Sequence, residues 1–263
     1  MAIVFSAIVP HPPVLLPNAP EVARDRLAST RAALAILEQE LYVSRPNLLI
    51  IISPHAGTFL NAFTVHGHPT LTSCFAEFGD VVTKRTWLGA PEMAAKISHR
   101  PNQKVIPVQM SGEERLDHGV SIPLLFLTEH LANLKILPLG FSNLPPKKHF
   151  EFGELIKEVL MEESLRCAVV ASGDLSHTLT PKSPGKFNPR GKEFERTIIE
   201  LLCAKNTVGI ANMDPALVLA ADECGYRSIL ILLGILKNSD SAFQVLAHEA
   251  PFGVGYLTGI FHH

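Results

Sequence analysis

The chain has 263 residues, 47% of them hydrophobic, and a formal net charge of −2. That length suits one large α/β core, and the near-balanced charge gives no electrostatic ground for a nucleic-acid partner. The longest apolar stretch, ILILLGIL at residues 229–236, falls far short of the roughly 20 residues of a membrane-spanning helix.

The apolar amino terminus runs into Pro10-His11-Pro12-Pro13 with no basic leader or small-residue cleavage motif, so a cytoplasmic protein is expected, with residues 1–263 as one domain. Cys74, Cys167, Cys203 and Cys224 are widely spaced and form no CxxC pair. They read as buried thiols, which directs any metal site towards nitrogen and oxygen ligands.

Along the chain the hydrophobic period alternates between strand-like and helix-like, the pattern of βαβ construction. Ile3 to Val9 reads as a first strand. After a proline-rich turn, Glu21 to Tyr42 carries apolar residues at helical spacing. Asn47 to Ile52 is nearly continuous apolar sequence, as in a strand of a parallel sheet covered on both faces. Further strands are expected at Lys104 to Met110, Lys135 to Leu139, Cys167 to Ala171, Phe243 to Ala247 and Gly253 to Ile260. Helices are expected at Ala90 to Ser98, Ile122 to Ala132, Lys147 to Met161, Gly191 to Leu202, Pro215 to Cys224 and Tyr226 to Lys237. The fold class that follows is a single-domain α/β protein, its central sheet mostly parallel or mixed, with helices on both faces and the site at the strand carboxyl ends. The loop from Thr178 to Arg190 is a candidate flap over that site.

Four of the twelve histidines stand where an apolar run stops: His11, His55, His177 and His248. Polar groups at several strand ends can converge on one cleft, and two imidazoles with a carboxylate make a mononuclear metal site. His11 is held between prolines in an extended or turn conformation, and His55 follows Ser53-Pro54 at a sharp turn; each is also compatible with an ordinary turn residue. Asp174 and His177 are three apart, so on a helical turn the carboxylate could orient the ring, or the pair could cap a helix. No G-x-S-x-G elbow surrounds Ser176, which disfavours a serine nucleophile. His118 precedes an apolar helix and could contact substrate, with Asp117 as the helix cap. His66 and His68 form an H-x-H pair read as a partly exposed strand or loop. Lys147, Lys148 and His149 read as a solvated helix start. Glu249 lies directly beside His248, and adjacent strand residues face opposite ways, so one of the two is expected in the cleft.

IVPHPPVLLP, ISPHAGTF, LDHGVSIPL, SGDLSH and HEAPFGVGYL, in this order, resemble the class III extradiol ring-cleavage dioxygenase family in its LigB-type catalytic subunit. The resemblance runs from the first strand to the last. It implies a non-haem Fe(II) held by His11, His55 and Glu249, with Zn(II) as the alternative ion, His177 as the general acid/base, and His118 positioning substrate or oxygen. The implied substrates are a small aromatic diol and O2, in the breakdown of aromatic compounds. Some members of that family work with a small partner subunit, and this chain supplies no such segment; a homo-oligomer is the other arrangement left open. The EAPFGVGYL ending also resembles the Memo-like proteins and the domain found beside AMMECR1-type domains. That similarity implies a metal- or ligand-binding role without turnover, and the same ligand set would also serve a zinc-dependent hydrolase.

Overall fold

The computed structural model describes residues 2–57, 59–100 and 105–262. Its strands are β1 (Ala2–Val9), β2 (Leu48–Ser53), β3 (Phe63–His66), β4 (Thr70–Ser73), β5 (Thr86–Gly89), β6 (Val108–Ser111), β7 (Arg115–Leu116), β8 (Lys135–Gly140), β9 (Arg166–Ser172), β10 (Ala242–Glu249) and β11 (Tyr256–His262). The helices are α1 (Glu21–Asp25), α2 (Ala28–Ser44), α3 (Pro91–Ser98), α4 (His118–Leu127), α5 (Pro146–Met161), α6 (Arg190–Cys203), α7 (Thr207–Ala211), α8 (Pro215–Ala221) and α9 (Tyr226–Ile235).

One mixed sheet runs through the molecule in the order β10-β11-β1-β9-β2-β8-β5-β4-β7. Its centre is parallel: β9 pairs with both β1 and β2, and β2 with β8. β11 runs antiparallel to β1 and carries β10 on its outer side. At β8 the sheet forks. Leu88 and Gly89 of β5 pair with its first half, while Thr64 and Val65 of β3 pair with its last residues.

The central strands bury both faces, which explains their nearly continuous apolar sequence. In β2, Leu49 and Ile51 join a core with Leu34, Leu37 and Val120 beneath α2 and α4, whereas Ile50 and Ile52 join a second core with Phe152, Ile156 and Ile231 beneath α5 and α9. Ala168 and Val170 of β9 alternate with Cys167 and Val169 in the same way. Among the described residues no helix is long and apolar enough to cross a membrane.

The expected elements are present with three corrections. The single helix expected over Glu21 to Tyr42 is broken at Arg26-Leu27, where fully buried Leu27 turns into the core. The helix expected at Ile122 to Ala132 starts at His118 and ends at Leu127, because Asp117 caps it by accepting the Val120 N–H. The strand expected over Lys104 to Met110 begins at Val108; Lys104 lies outside the described residues. β3, β4, β5 and β7 had no counterpart among the expected strands. Two surface readings also change: His66, at the end of β3, is 4% exposed, and His149 of α5 is fully buried.

Candidate metal centre

The parallel register brings the carboxyl ends of β1, β9, β2 and β8 to one edge, with Val9 opposite Ser172 and Ser53 opposite Gly140. His11 and His55 leave that edge just after β1 and β2, and His118 opens α4 beside them. The three rings form one cluster. Ring centroids of His11 lie 5.2 Å from His55 and 5.3 Å from His118, and His55 and His118 stack at 4.4 Å. One nitrogen from each ring falls within 4.8 Å of the others, close enough for the set to hold a metal ion.

His11 has its nitrogen roles fixed. The Ser172 hydroxyl donates to the Gly119 carbonyl at 2.6 Å, so the same oxygen accepts from His11 Nδ1–H at 2.8 Å. The proton therefore sits on Nδ1, and Nε2 presents its lone pair to the cluster, the arrangement metal-binding histidines generally adopt. The Gly119 carbonyl is free because its usual helical donor would be residue 123, which is proline and has no N–H. Glycine at 119 is itself required by crowding, since a Cβ there would come within 2.4 Å of Ser53 Oγ.

Asp117 ties the two other histidines together. Its Oδ1 accepts from Ser53 Oγ at 2.7 Å and from the Val120 N–H at 3.1 Å, while Ser53 Oγ accepts from the His55 backbone N–H at 3.1 Å. Burial and like charge keep two of the rings, His11 and His118, neutral. His11 is held well below the ordinary imidazole range by burial, then by His55 and His177; burial, His11 and His55 push His118 down to about 3. Neutral imidazole is the form that ligates metal.

On the other side of His11 lies a second set. Asp174 Oδ1 accepts the His11 backbone N–H at 3.0 Å, and Cys224 Sγ stands 3.7 Å from His11 Nε2 and 4.0 Å from His177 Nε2. His11, Asp174 and Cys224 also have ligand atoms within 4.8 Å of one another. Burial raises the Asp174 carboxyl above its usual range and the Cys224 thiol well above its own. Asp174 and His177 do not share a helical turn: the segment between β9 and α6 is irregular, and among the described residues no hydrogen bond joins that carboxylate to the His177 ring. His177 is placed instead by its backbone, whose N–H donates to Ala221 and whose carbonyl accepts from Gly185. Gly185 lies in the expected flap, so the Thr178 to Arg190 loop is fastened at the side of the site.

Glu249, the expected third ligand, is not brought to the imidazoles. Its Oε1 accepts from the Thr30 N–H at 2.7 Å and the Thr30 hydroxyl at 2.6 Å, capping α2, whose own N-cap residue, Leu27, offers no side-chain acceptor. His248 points to the opposite face and pairs with buried Glu195 at 2.9 Å. The alternation expected for adjacent strand residues holds, but both faces here are structural.

Cys224, read from the sequence only as a buried thiol, reaches the site from the short turn between α8 and α9. A signal was present: Asp222-Glu223-Cys224-Gly225 is a polar break between two apolar helices, an unusual setting for a structural thiol. The nearest cavity, of about 600 Å3, opens beside His55 and is also lined by His66, Cys74, Arg115 and Asp117. A larger cleft, of about 910 Å3, opens elsewhere, lined by residues such as Leu48, Leu134 and Lys135 at the amino ends of β2 and β8, and contains none of these groups.

Such a fold, with imidazoles converging at the carboxyl ends of parallel strands, defines a class of α/β proteins with a metal-competent histidine pocket. Within it the chain belongs to the family of the catalytic LigB subunit of aromatic ring-opening dioxygenase, whose family model matches residues 6–259. Protein CA_C1420 of Clostridium acetobutylicum is 27% identical over 95% of this chain, which spans 55% of that longer protein. A MEMO1 family protein of Methanosarcina mazei is 22% identical over 81% of this chain and 82% of its own length. Among solved structures, the uncharacterized protein JW3007 from Escherichia coli K12 shares the fold with a TM-score of 0.70 at 18% identity, covering 99% of this chain and 100% of its own.

Proposed function

We propose that the protein is a metal-dependent oxidoreductase that opens the ring of an aromatic diol with O2, using His11, His55 and His118 to hold the ion. The observation that carries this reading is the convergence of three imidazoles at the strand ends, with His11 Nε2 freed as a ligand by Ser172. A nitrogen-rich set with a carboxylate and a thiol close by fits a borderline transition ion such as Fe(II) or Zn(II), and not Mg(II) or Ca(II), which take oxygen ligands. A ferrous ion held by His11, His55 and His118 would supply Lewis acidity and a route for electron density from the diol to dioxygen.

The protein's own groups supply the rest. His177 lies on the Cys224 side of His11, its Nε2 4.0 Å from that thiol, and its imidazole takes a diol hydroxyl proton and later returns it. Asp174 fixes the His11 backbone, and Ser172 fixes its tautomer. The cavity beside His55 is open enough to admit a small aromatic ring.

A second reading is favoured by Cys224 and by the MEMO1 family relative: a metal-binding protein without ring-opening turnover, in which the thiolate joins His11. Anaerobic loading with Fe(II), followed by oxygen uptake with a panel of catechols, separates the two. Diol-dependent oxygen consumption that His177→Ala abolishes while retaining iron supports the dioxygenase. Tight iron with no oxygen uptake for any diol overturns it, and zinc retention with esterase or amidase turnover would replace it with a hydrolase.

A further inference from the structure

The cavity beside His55 carries a thiol that the proposed metal chemistry does not use. Parallel pairing of β4 with β7 sets Ser73 opposite Leu116 and Thr72 opposite Arg115, which brings Cys74, the next residue after β4, beside the Arg115 side chain. Arg115 Nη2 donates to Cys74 Sγ at 3.1 Å. The Ala76 backbone N–H donates to the same sulfur, and these two donors hold the thiol below its ordinary range against the opposing charge of Glu77. The neighbouring carboxylates face elsewhere: Glu113 accepts from the Arg115 backbone N–H, and Glu114 accepts from Thr72 Oγ1. The guanidinium charge is therefore available to the sulfur.

No other thiol of the chain shares this setting. Cys167 is buried and pushed up to about 11, Cys224 is raised by burial, and Cys203 is exposed at the end of α6. The cavity wall also has unused polar groups. His66 is 4% exposed, and its Nε2–H donates to the Ala56 carbonyl at 3.1 Å, which leaves a lone pair on Nδ1. Among the described residues that Nδ1 has no hydrogen-bond partner, and neither does Asp117 Oδ2. Both residues line the cavity with Cys74, so the wall beside the thiol holds two acceptors without partners among the described residues.

We propose that Cys74 is a site of oxidation by hydroperoxides, with Arg115 as the group that activates it. The sulfur attacks one peroxide oxygen, forming the S–O bond as the O–O bond breaks. The departing hydroxide takes the proton of the new S–OH, so thiolate and hydrogen peroxide become sulfenate and water. Sulfur loses two electrons and the peroxide gains them. Arg115 donates to the transferred oxygen, and the added oxygen narrows the cavity that leads to His55, so oxidation there restricts entry to the metal centre.

The test treats the full chain with hydrogen peroxide in the presence of dimedone and reads the adducts by peptide mass spectrometry. Cys74 is expected to label first, ahead of the more exposed Cys203, with the rate at Cys74 falling on the order of tenfold in Arg115→Gln and partly recovering in Arg115→Lys. Labelling of Cys203 as fast as Cys74 in the wild-type protein overturns the proposal, whatever the folding of the variants. So does an unchanged Cys74 rate in a folded Arg115→Gln.

Discussion

Ser172 decides which nitrogen His11 offers, and through that choice a single hydroxyl tunes how tightly the cluster can bind metal. Ser172→Ala removes the acceptor for Nδ1–H and leaves Gly119 unpaired, so metal affinity is expected to fall without loss of any ligand; isothermal titration of Fe(II) or Zn(II) checks this. Glu249 gives the contrasting case. Its carboxylate serves the amino end of α2, so Glu249→Ala is expected to cost about 1–2 kcal/mol in urea unfolding while metal binding stays at the wild-type level. Cys224→Ser tests the second ligand set. With a Co(II) probe, a sulfur-to-metal charge-transfer band that disappears in this variant places the thiol on the ion, and an unchanged spectrum leaves the three imidazoles alone.

At the scale of elements, α4 does two jobs that its sequence sets in opposition. Pro123 costs the helix a hydrogen bond, and the carbonyl left over at Gly119 is the one that holds Ser172. Pro123→Ala would supply an N–H to compete for that carbonyl. The expected outcome is a protein of equal or greater thermal stability but weaker metal affinity, a separation that plain loss of packing would not produce. α5 and α9 show a simpler dependence, on close backbone approach. A Cβ at Gly153 would lie 2.2 Å from the Ile231 carbonyl, and one at Gly234 the same distance from that of Phe150. Gly153→Ala should therefore destabilise by several kcal/mol, measurable by denaturant unfolding, despite alanine's better helix propensity.

For the whole molecule, buried neutral histidines tie stability to pH. Burial, with the charge of Arg227, brings His149 down to about 4 although the Pro145 and Ser142 carbonyls oppose the shift. The unfolded chain binds a proton near 6.5 that the folded chain refuses, so stability falls as pH drops from there towards 4. The loss from this one group is on the order of 3 kcal/mol. Urea unfolding at pH 7 and pH 4.5 should show a smaller difference for His149→Gln than for the wild type.

The sequence made the central sheet and most of the site legible because buried parallel strands are nearly uniform apolar runs, and their ends mark the cleft. His11, His55 and His177 could be read from that pattern, and His118 from its place before an apolar helix. β3, β4, β5 and β7 could not, since segments of two to four residues carry no measurable period and take their register from β8 and from one another. Glu249 lies at the amino end of α2 and not beside the imidazoles, a placement the sequence does not record because a His-Glu pair at a strand end looks the same whether it serves an ion or a helix cap. Cys224 stood out only as a polar break between two apolar helices; that it reaches the site depends on how α8 and α9 pack, which no local pattern records.

On the proposed function the ion sits among the imidazoles at His11, and Glu249 takes no part in holding it. Iron content after anaerobic reconstitution of wild type, His55→Ala and Glu249→Gln tests it most directly. Iron is expected in the wild type and in Glu249→Gln, with little in His55→Ala; iron lost from Glu249→Gln and retained by His55→Ala would overturn the imidazole site.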